Sequence, residues 1–174
     1  MSRGDELQSV LDRVPMVQTL GMQCEIMGDE MTAVLPFRDN LIGNVTIRAL
    51  HGGAIATFLE LTAMAQLYLA TDLERPPRTI NLTVDYLRQG KAEDLYARAT
   101  ITKLGRRMAS VRAEAWQSER SKPVSAVMDQ TLKKAASALT LSTKILPMVQ
   151  TRIDGMKHST VSIAERCRQK RQLH

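Results

Sequence analysis

Residues 53–70 read GAIATFLELTAMAQLYLA, apolar almost all round and interrupted only by Thr57, Glu60, Thr62 and Gln66. A surface helix carries a polar face, and this segment has none, so as a helix it must be buried on every side. A membrane span asks for about 20 largely apolar residues, and the stretch is too short and too polar for one. The sequence therefore predicts a central helix enclosed by other parts of its own fold.

The enclosing material flanks it. After the helix, residues 78–87 alternate strictly, with Ile80, Leu82, Val84 and Tyr86 against Thr79, Asn81, Thr83 and Asp85. Leu95, Ala97, Ala99 and Ile101 repeat the period of two, as do Ala109, Val111, Ala113 and Ala115, and then Val124, Ala126, Met128 and Leu132. Connections as short as Gly105-Arg106-Arg107 favour antiparallel pairing over crossovers. Before the helix, residues 22–26 and 31–37 form a strand pair whose turn chemistry comes from Gly28 and Asp29, and residues 38–50 read as a loop. Residues 5–20 have helical spacing broken at Pro15. The expected architecture is α+β: about six antiparallel strands curving around one long buried helix.

Composition bounds the function. The chain has 174 residues, 44% of them hydrophobic, which suits one globular domain with an extension and excludes disorder throughout. We expect the domain over residues 1–135 and a basic, partly helical extension over residues 136–174. Of the net charge of +6, five come from residues 142–174, where seven Lys/Arg face two acids. The body is nearly neutral and only 3% of the chain is aromatic, which argues against a nucleic-acid platform. The tail reads either as a solvated segment or as an arm for a partner or anionic surface. Cys24 and Cys167 lie far apart, and no His, Cys or carboxylate cluster has metal-ligand spacing, so neither a disulfide framework nor a metal is expected. With no apolar leader behind a polar start, a reducing cytoplasm is the expected location. Six methionines (Met22, Met27, Met31, Met64, Met108 and Met128) fall in or beside the expected core elements.

Chemistry concentrates in residues 44–60, NVTIRALHGGAIATFLE. Gly52 and Gly53 are poor helix formers placed at a helix start. They either let a ligand approach first-turn amides at the positive end of the helix dipole, or allow tight packing of the helix on the sheet. Glu60 has Ala56, Thr57, Ala63 and Met64 as its helical neighbours and no cation among them. A carboxylate in such a helix is either a functional group or half of a buried polar network, and desolvation should raise its pKa.

HGGAIATFLE, followed by TINLTVDYLRQG and LGRRMASVRAEAW, resembles the hotdog-fold acyl-CoA thioesterases, in their phenylacetyl-CoA (PaaI-like) branch. The likeness spans roughly residues 15–135. It implies a homodimer or homotetramer, active sites at the protomer interface, an acyl-CoA substrate and no cofactor. Carried onto this chain, Glu60 would be general base or nucleophile, and Gly52 would offer its N–H to the thioester carbonyl. His51 would help place the thioester. The water-orienting Asn of the family stands six residues before the His; here that position is Val45, and Asn44 is the nearest substitute. Thr79 matches the hydroxyl residue that opens the next strand and reaches the acid from the partner protomer. Arg106, Arg107 and Arg88 would bind the phosphates of coenzyme A. A hydratase on the same fold fits less well, since its His belongs to a different motif, and a non-catalytic acyl-CoA-binding protein is the remaining alternative.

Overall fold

The helix forms where its composition demands, over Gly52–Ala70, and what encloses it is a sheet. A computed structural model of the chain describes residues 3–27, 30–71 and 77–132, and the expected extension over residues 136–174 lies outside them, as does the turn at Gly28 and Asp29. In chain order the elements are α1 (Arg3–Leu11), α2 (Pro15–Leu20), β1 (Gln23–Met27), β2 (Glu30–Leu35), β3 (Ile42–Asn44), β4 (Ala49–Leu50), α3 (Gly52–Ala70), β5 (Arg78–Tyr86), β6 (Leu95–Leu104), β7 (Met108–Trp116) and β8 (Ser125–Leu132). Six strands make one antiparallel sheet in the order β1-β2-β6-β7-β8-β5. The architecture is α+β, the hotdog arrangement of a sheet packed on one long helix.

The core lies between α3 and the inner face of the sheet. Phe58, Leu59 and Leu67 of α3 are fully buried, each worth about 2 kcal/mol. Leu95 and Ala97 of β6 and Val111, Ala113 and Ala115 of β7 meet them, as their alternation predicts. By length and hydropathy α3 could cross a bilayer, but here it is the core helix of a sheet. It is not buried all round, however. Gly53, Ala56, Thr57, Glu60, Met64 and Tyr68 recur at helical spacing and stay half-buried or exposed, a stripe the chain does not cover by itself.

Three departures from the sequence reading matter for the site. A bulge between Thr79 and Asn81 shifts β5 by one residue, so Ile80 turns out to solvent and Thr79 turns inward with Leu82 and Val84. In β8 the faces are reversed. Ser125, Val127, Asp129 and Thr131 face the core, each at most 2% exposed, and Met128 points outward. Alternation makes the apolar residues of that strand the inner set, whereas the inner set is mostly polar. Finally, the expected loop over residues 38–50 contains the two-stranded ladder β3–β4, with Gly43 packed so closely on His51 that a Cβ would lie 2.6 Å from the His51 Cα. Of the six methionines, Met22 and Met31 are core residues, Met64 is half-buried, and Met27, Met108 and Met128 are exposed.

Candidate active site

At its start, α3 leaves one donor free. His51 is the N-cap, and its Nδ1 accepts a hydrogen bond from the Gly53 N–H at 3.0 Å. Its carbonyl accepts from the N–H groups of Ala54 and Ile55. Of the first-turn amides, only that of Gly52 then lacks a partner among the described residues. The sequence suggested outward-pointing first-turn amides at this point; the side chain of His51 engages that of Gly53. An accepting Nδ1 also puts the imidazole proton on Nε2, where it can donate away from the helix.

Tyr86, at the end of β5, closes over this helix start. Its hydroxyl donates to the Gly52 carbonyl at 2.8 Å, and a Cβ on Gly52 would meet its ring at 3.2 Å. The glycine is thus partly a packing requirement, and it also keeps the adjacent N–H approachable. Asn44 is less available than expected. Its Oδ1 accepts from the N–H groups of Thr46 and Ile47, capping the exposed turn between β3 and β4, so only its amide nitrogen remains to hold a water.

Glu60 lies on the uncovered stripe of α3, half-buried rather than enclosed. Beneath the helix, on the inner face of β8, lies a carboxylate that sequence reasoning missed. Asp129 is completely buried, and neither of its oxygens has a hydrogen-bond partner among the described residues. The Thr79 and Thr131 hydroxyls, directly opposite each other across β5 and β8, are buried and unpartnered as well. Burial drives the Asp129 carboxyl up to about 6; the Thr131 hydroxyl, near it but out of hydrogen-bonding geometry, pulls the other way, and the charge of Glu60 pushes it further up. The signal available in the sequence was an acid inside an otherwise alternating strand. Apolar alternation alone puts that acid on the outer face.

Gly52 and Glu60 are separated by about 12 Å along the helix axis. Ser125 and Asp129 are separated by about 13 Å along β8. The helix start therefore lies over the Tyr86–Ser125 end of the sheet, and Glu60 over Asp129. The charge of Glu60 acts on Asp129, Thr79 lies across from Thr131 two residues further along β8, and Gly52 and His51 lie toward the Tyr86 end.

The expected phosphate ligands are divided in the same way. Arg106 and Arg107 sit exposed in the β6–β7 turn, beyond the Leu132 end of β8. Arg88 lies at the other end, where its guanidinium donates to the Pro123 carbonyl at 2.8 Å. The three do not form one cluster within a chain. No group of three or more His, Cys, Asp or Glu able to hold a metal occurs among the described residues.

Residues 48–124 match the family model described as the thioesterase superfamily. The medium/long-chain acyl-CoA thioesterase YigI of Escherichia coli (strain K12) is 32% identical over 117 residues, covering 58% of this chain and 74% of that protein. The chain belongs to the thioesterase superfamily. A solved protein from Chromobacterium violaceum is 33% identical, with a TM-score of 0.62 over 79% of this chain and all of that one. The E. coli PaaI protein of the phenylacetic acid degradation operon, at 17% identity, shares the fold, with a TM-score of 0.65 over 78% of this chain and 99% of that one. As a member of this superfamily the protein is a thioester hydrolase, and the free amide at one end of α3 and the carboxylates at its middle are its candidate machinery.

Proposed function

We propose that this thioesterase hydrolyses acyl-CoA at a composite site, with Glu60 of one protomer and Gly52 of another acting on the same thioester. The observation that carries the reading is the isolation of one unpaired helix-start amide from a carboxylate about 12 Å away along the same helix. A thioester carbon must lie within a few ångströms of both the donor to its oxygen and the group delivering water. Two antiparallel copies bring the two ends together. The uncovered α3 stripe, and the nine-residue edge strand β5 with Ile80 exposed beside it, are surfaces that a second copy would cover. A dimer, or a tetramer built from dimers, follows.

In the reaction, the Gly52 N–H holds the carbonyl oxygen as it gains negative charge, at the positive end of the helix dipole. Glu60 takes a proton from water, whose oxygen bonds to the thioester carbon. The tetrahedral intermediate collapses by breaking the C–S bond, and the departing thiolate takes up the proton. His51 Nε2–H is free to orient the thioester, and the Asn44 amide nitrogen to hold the water. Arg106 and Arg107 provide charge for the coenzyme A phosphates, and the engaged, distant Arg88 serves the chain structure instead. The similarity to YigI favours medium- and long-chain acyl groups over phenylacetyl. Cytoplasmic placement suits Cys24, a free thiol that burial keeps protonated, its pKa pushed up to about 12.

Thiol release from a series of acyl-CoAs of increasing chain length tests the proposal. The wild-type chain should hydrolyse the longer members, and Glu60→Ala should lose at least about 10² in turnover while keeping its unfolding midpoint. Near-normal turnover by that variant would refute the role of Glu60.

A further inference from the structure

We infer that Tyr86 is a positioning residue for hydrolysis: through the peptide group joining Gly52 to Gly53, it holds the His51 imidazole with its Nε2–H ready for the thioester. The inference deepens the reading of the site given above and rests on its assignment of His51 to the thioester.

Two hydrogen bonds stand in line at the start of α3. The Tyr86 hydroxyl donates to the Gly52 carbonyl at 2.8 Å. The Gly53 N–H donates to His51 Nδ1 at 3.0 Å. That carbonyl and that N–H are the two ends of a single conjugated peptide group, so both bonds act on one dipole. Electron density drawn toward the carbonyl oxygen by Tyr86 makes the N–H a better donor, and bonds chained in this way strengthen one another by about 10–30% each. With Nδ1 held as an acceptor, the ring proton is confined to Nε2.

The surrounding backbone is shaped to the same end. A Cβ on Gly52 would meet Tyr86 Cζ and Oη at 3.2 Å, and one on Gly53 would meet His51 Nδ1 at 3.0 Å and Cε1 at 3.1 Å. Each glycine of the pair thus admits one member of the chain: Gly52 the tyrosine, Gly53 the imidazole. Along the Cδ2 edge of the ring lies Gly43 of β3, where a Cβ would be 2.9 Å from that carbon. The His51 main chain is fixed as well, its N–H donating to the Leu41 carbonyl at 2.8 Å and its carbonyl accepting from Ala54 and Ile55. The residue is nonetheless exposed, and Nε2 has no partner among the described residues.

Packing does not account for the tyrosine. Tyr86 is 55% exposed, so water could satisfy its hydroxyl, and Phe would keep the ring against Gly52. What the hydroxyl adds is a bond to the peptide that holds His51. A donor whose direction is set before the substrate arrives needs no reorganisation during the reaction. An imidazole with its proton on Nδ1 would instead turn a lone pair toward the thioester.

The test is Tyr86→Phe, which keeps the ring and removes one bond. It should lower kcat for acyl-CoA hydrolysis about two- to ten-fold with little change in the unfolding midpoint. Long-range 1H–15N NMR of the His51 ring, recorded on both proteins at one alkaline pH, should show the wild-type proton on Nε2. In the variant the Nδ1 signal should move toward that of an unbonded ring nitrogen, and the Gly53 amide proton should move upfield. A tyrosine that only packs would leave both signals in place, and that result would overturn the inference. The second measurement is a double-mutant cycle with His51→Ser, which retains a capping oxygen and removes the imidazole. In that background Tyr86→Phe should cost nothing more; an equal loss in both backgrounds would mean that Tyr86 acts without His51, and the inference would fall. The same variant separates the two claims. If His51→Ser keeps wild-type turnover, the assignment of His51 to the thioester fails, and this inference with it. If His51→Ser is impaired while Tyr86→Phe is fully active, only the inference fails.

Discussion

The two ends of the β5–β8–β7 sheet treat polar groups in opposite ways. At the Tyr86–Ser125 end, side chain after side chain is paired: Ser125 to the Asp85 carbonyl, Tyr86 to that of Gly52, Arg88 to that of Pro123, and His51 to the Gly53 N–H. Of the first-turn amides of α3, that of Gly52 is left over among the described residues. At the other end, the Asp129 carboxylate and the Thr131 and Thr79 hydroxyls are buried with no hydrogen-bond partner among the described residues. Pairing everything around one amide rigidifies it, which is what a preorganised donor to a developing oxyanion needs. Leaving one acid unpaired in a core has the reverse effect: burial raises the proton affinity of Asp129. One region is tied down by hydrogen bonds, and the other keeps buried polar side chains unpaired among the described residues.

The most severe test of this division asks whether the two ends belong to one site. Gly52 is the first helical residue, where proline is accepted and the preceding His51 already has an extended backbone. Gly52→Pro therefore deletes the free N–H without breaking α3, and should lower turnover by about 10²–10³. Gly52→Ala keeps the N–H, adds only a contact with the Tyr86 ring, and should lose far less. Co-expressing Gly52→Pro with Glu60→Ala, each inactive alone, should restore about a quarter of wild-type activity, because half of randomly formed dimers carry one intact composite site out of two. Failure of the mixture to recover would return both groups to a single chain.

A second experiment strikes at the unpaired end through stability. The folded-state pKa of Asp129 is raised, from 3.8 to about 6, so the folded chain binds the extra proton and stability falls as pH rises through that window. Above it the penalty is constant, on the order of 3 kcal/mol. Asp129→Asn cannot ionise, so its stability relative to wild type should grow between pH 4 and 6 and then level off, as urea unfolding at each pH would record. A difference that does not change with pH would mean that Asp129 already has a compensating partner.

The sequence made one end of the molecule far more legible than the other. HGG before an apolar run announced the helix start and Gly52, because glycine at a first turn needs a reason that few structures supply; the capping role of His51 came from the structure. The alternation in β6 and β7 gave their inner faces correctly, since both strands are apolar on the side that meets α3. The resemblance named Thr79, but its inward face, and Asp129 altogether, were hidden by two features that alternation cannot register. A bulge changes the face of a strand without changing its composition, and the residues facing the core of β8 are the polar ones. Where a buried face is polar, the hydrophobic pattern points to the wrong side. The division between Arg88 and Arg106–Arg107 was hidden for a plainer reason: strand pairing places residues near in pattern at opposite ends of a sheet.

That division yields the smallest expected effect. Arg106 and Arg107 are exposed in a turn and have no ion-pair partner among the described residues, so their loss should leave stability unchanged. Their attraction for a phosphorylated substrate acts through water, and added salt screens it over a Debye length of about 10 Å at 0.1 M. Replacing both with Gln should raise KM for acyl-CoA a few-fold at low ionic strength and hardly at all in high salt, with kcat unchanged. Arg88→Gln removes a bond to a backbone carbonyl instead, so any cost should appear in the unfolding midpoint and persist in salt. If Arg88→Gln showed the salt-sensitive KM and the turn variant did not, the coenzyme A handle would lie across the Tyr86 end. The acyl chain would then enter from the carboxylate side, reversing the direction of the substrate through the composite site.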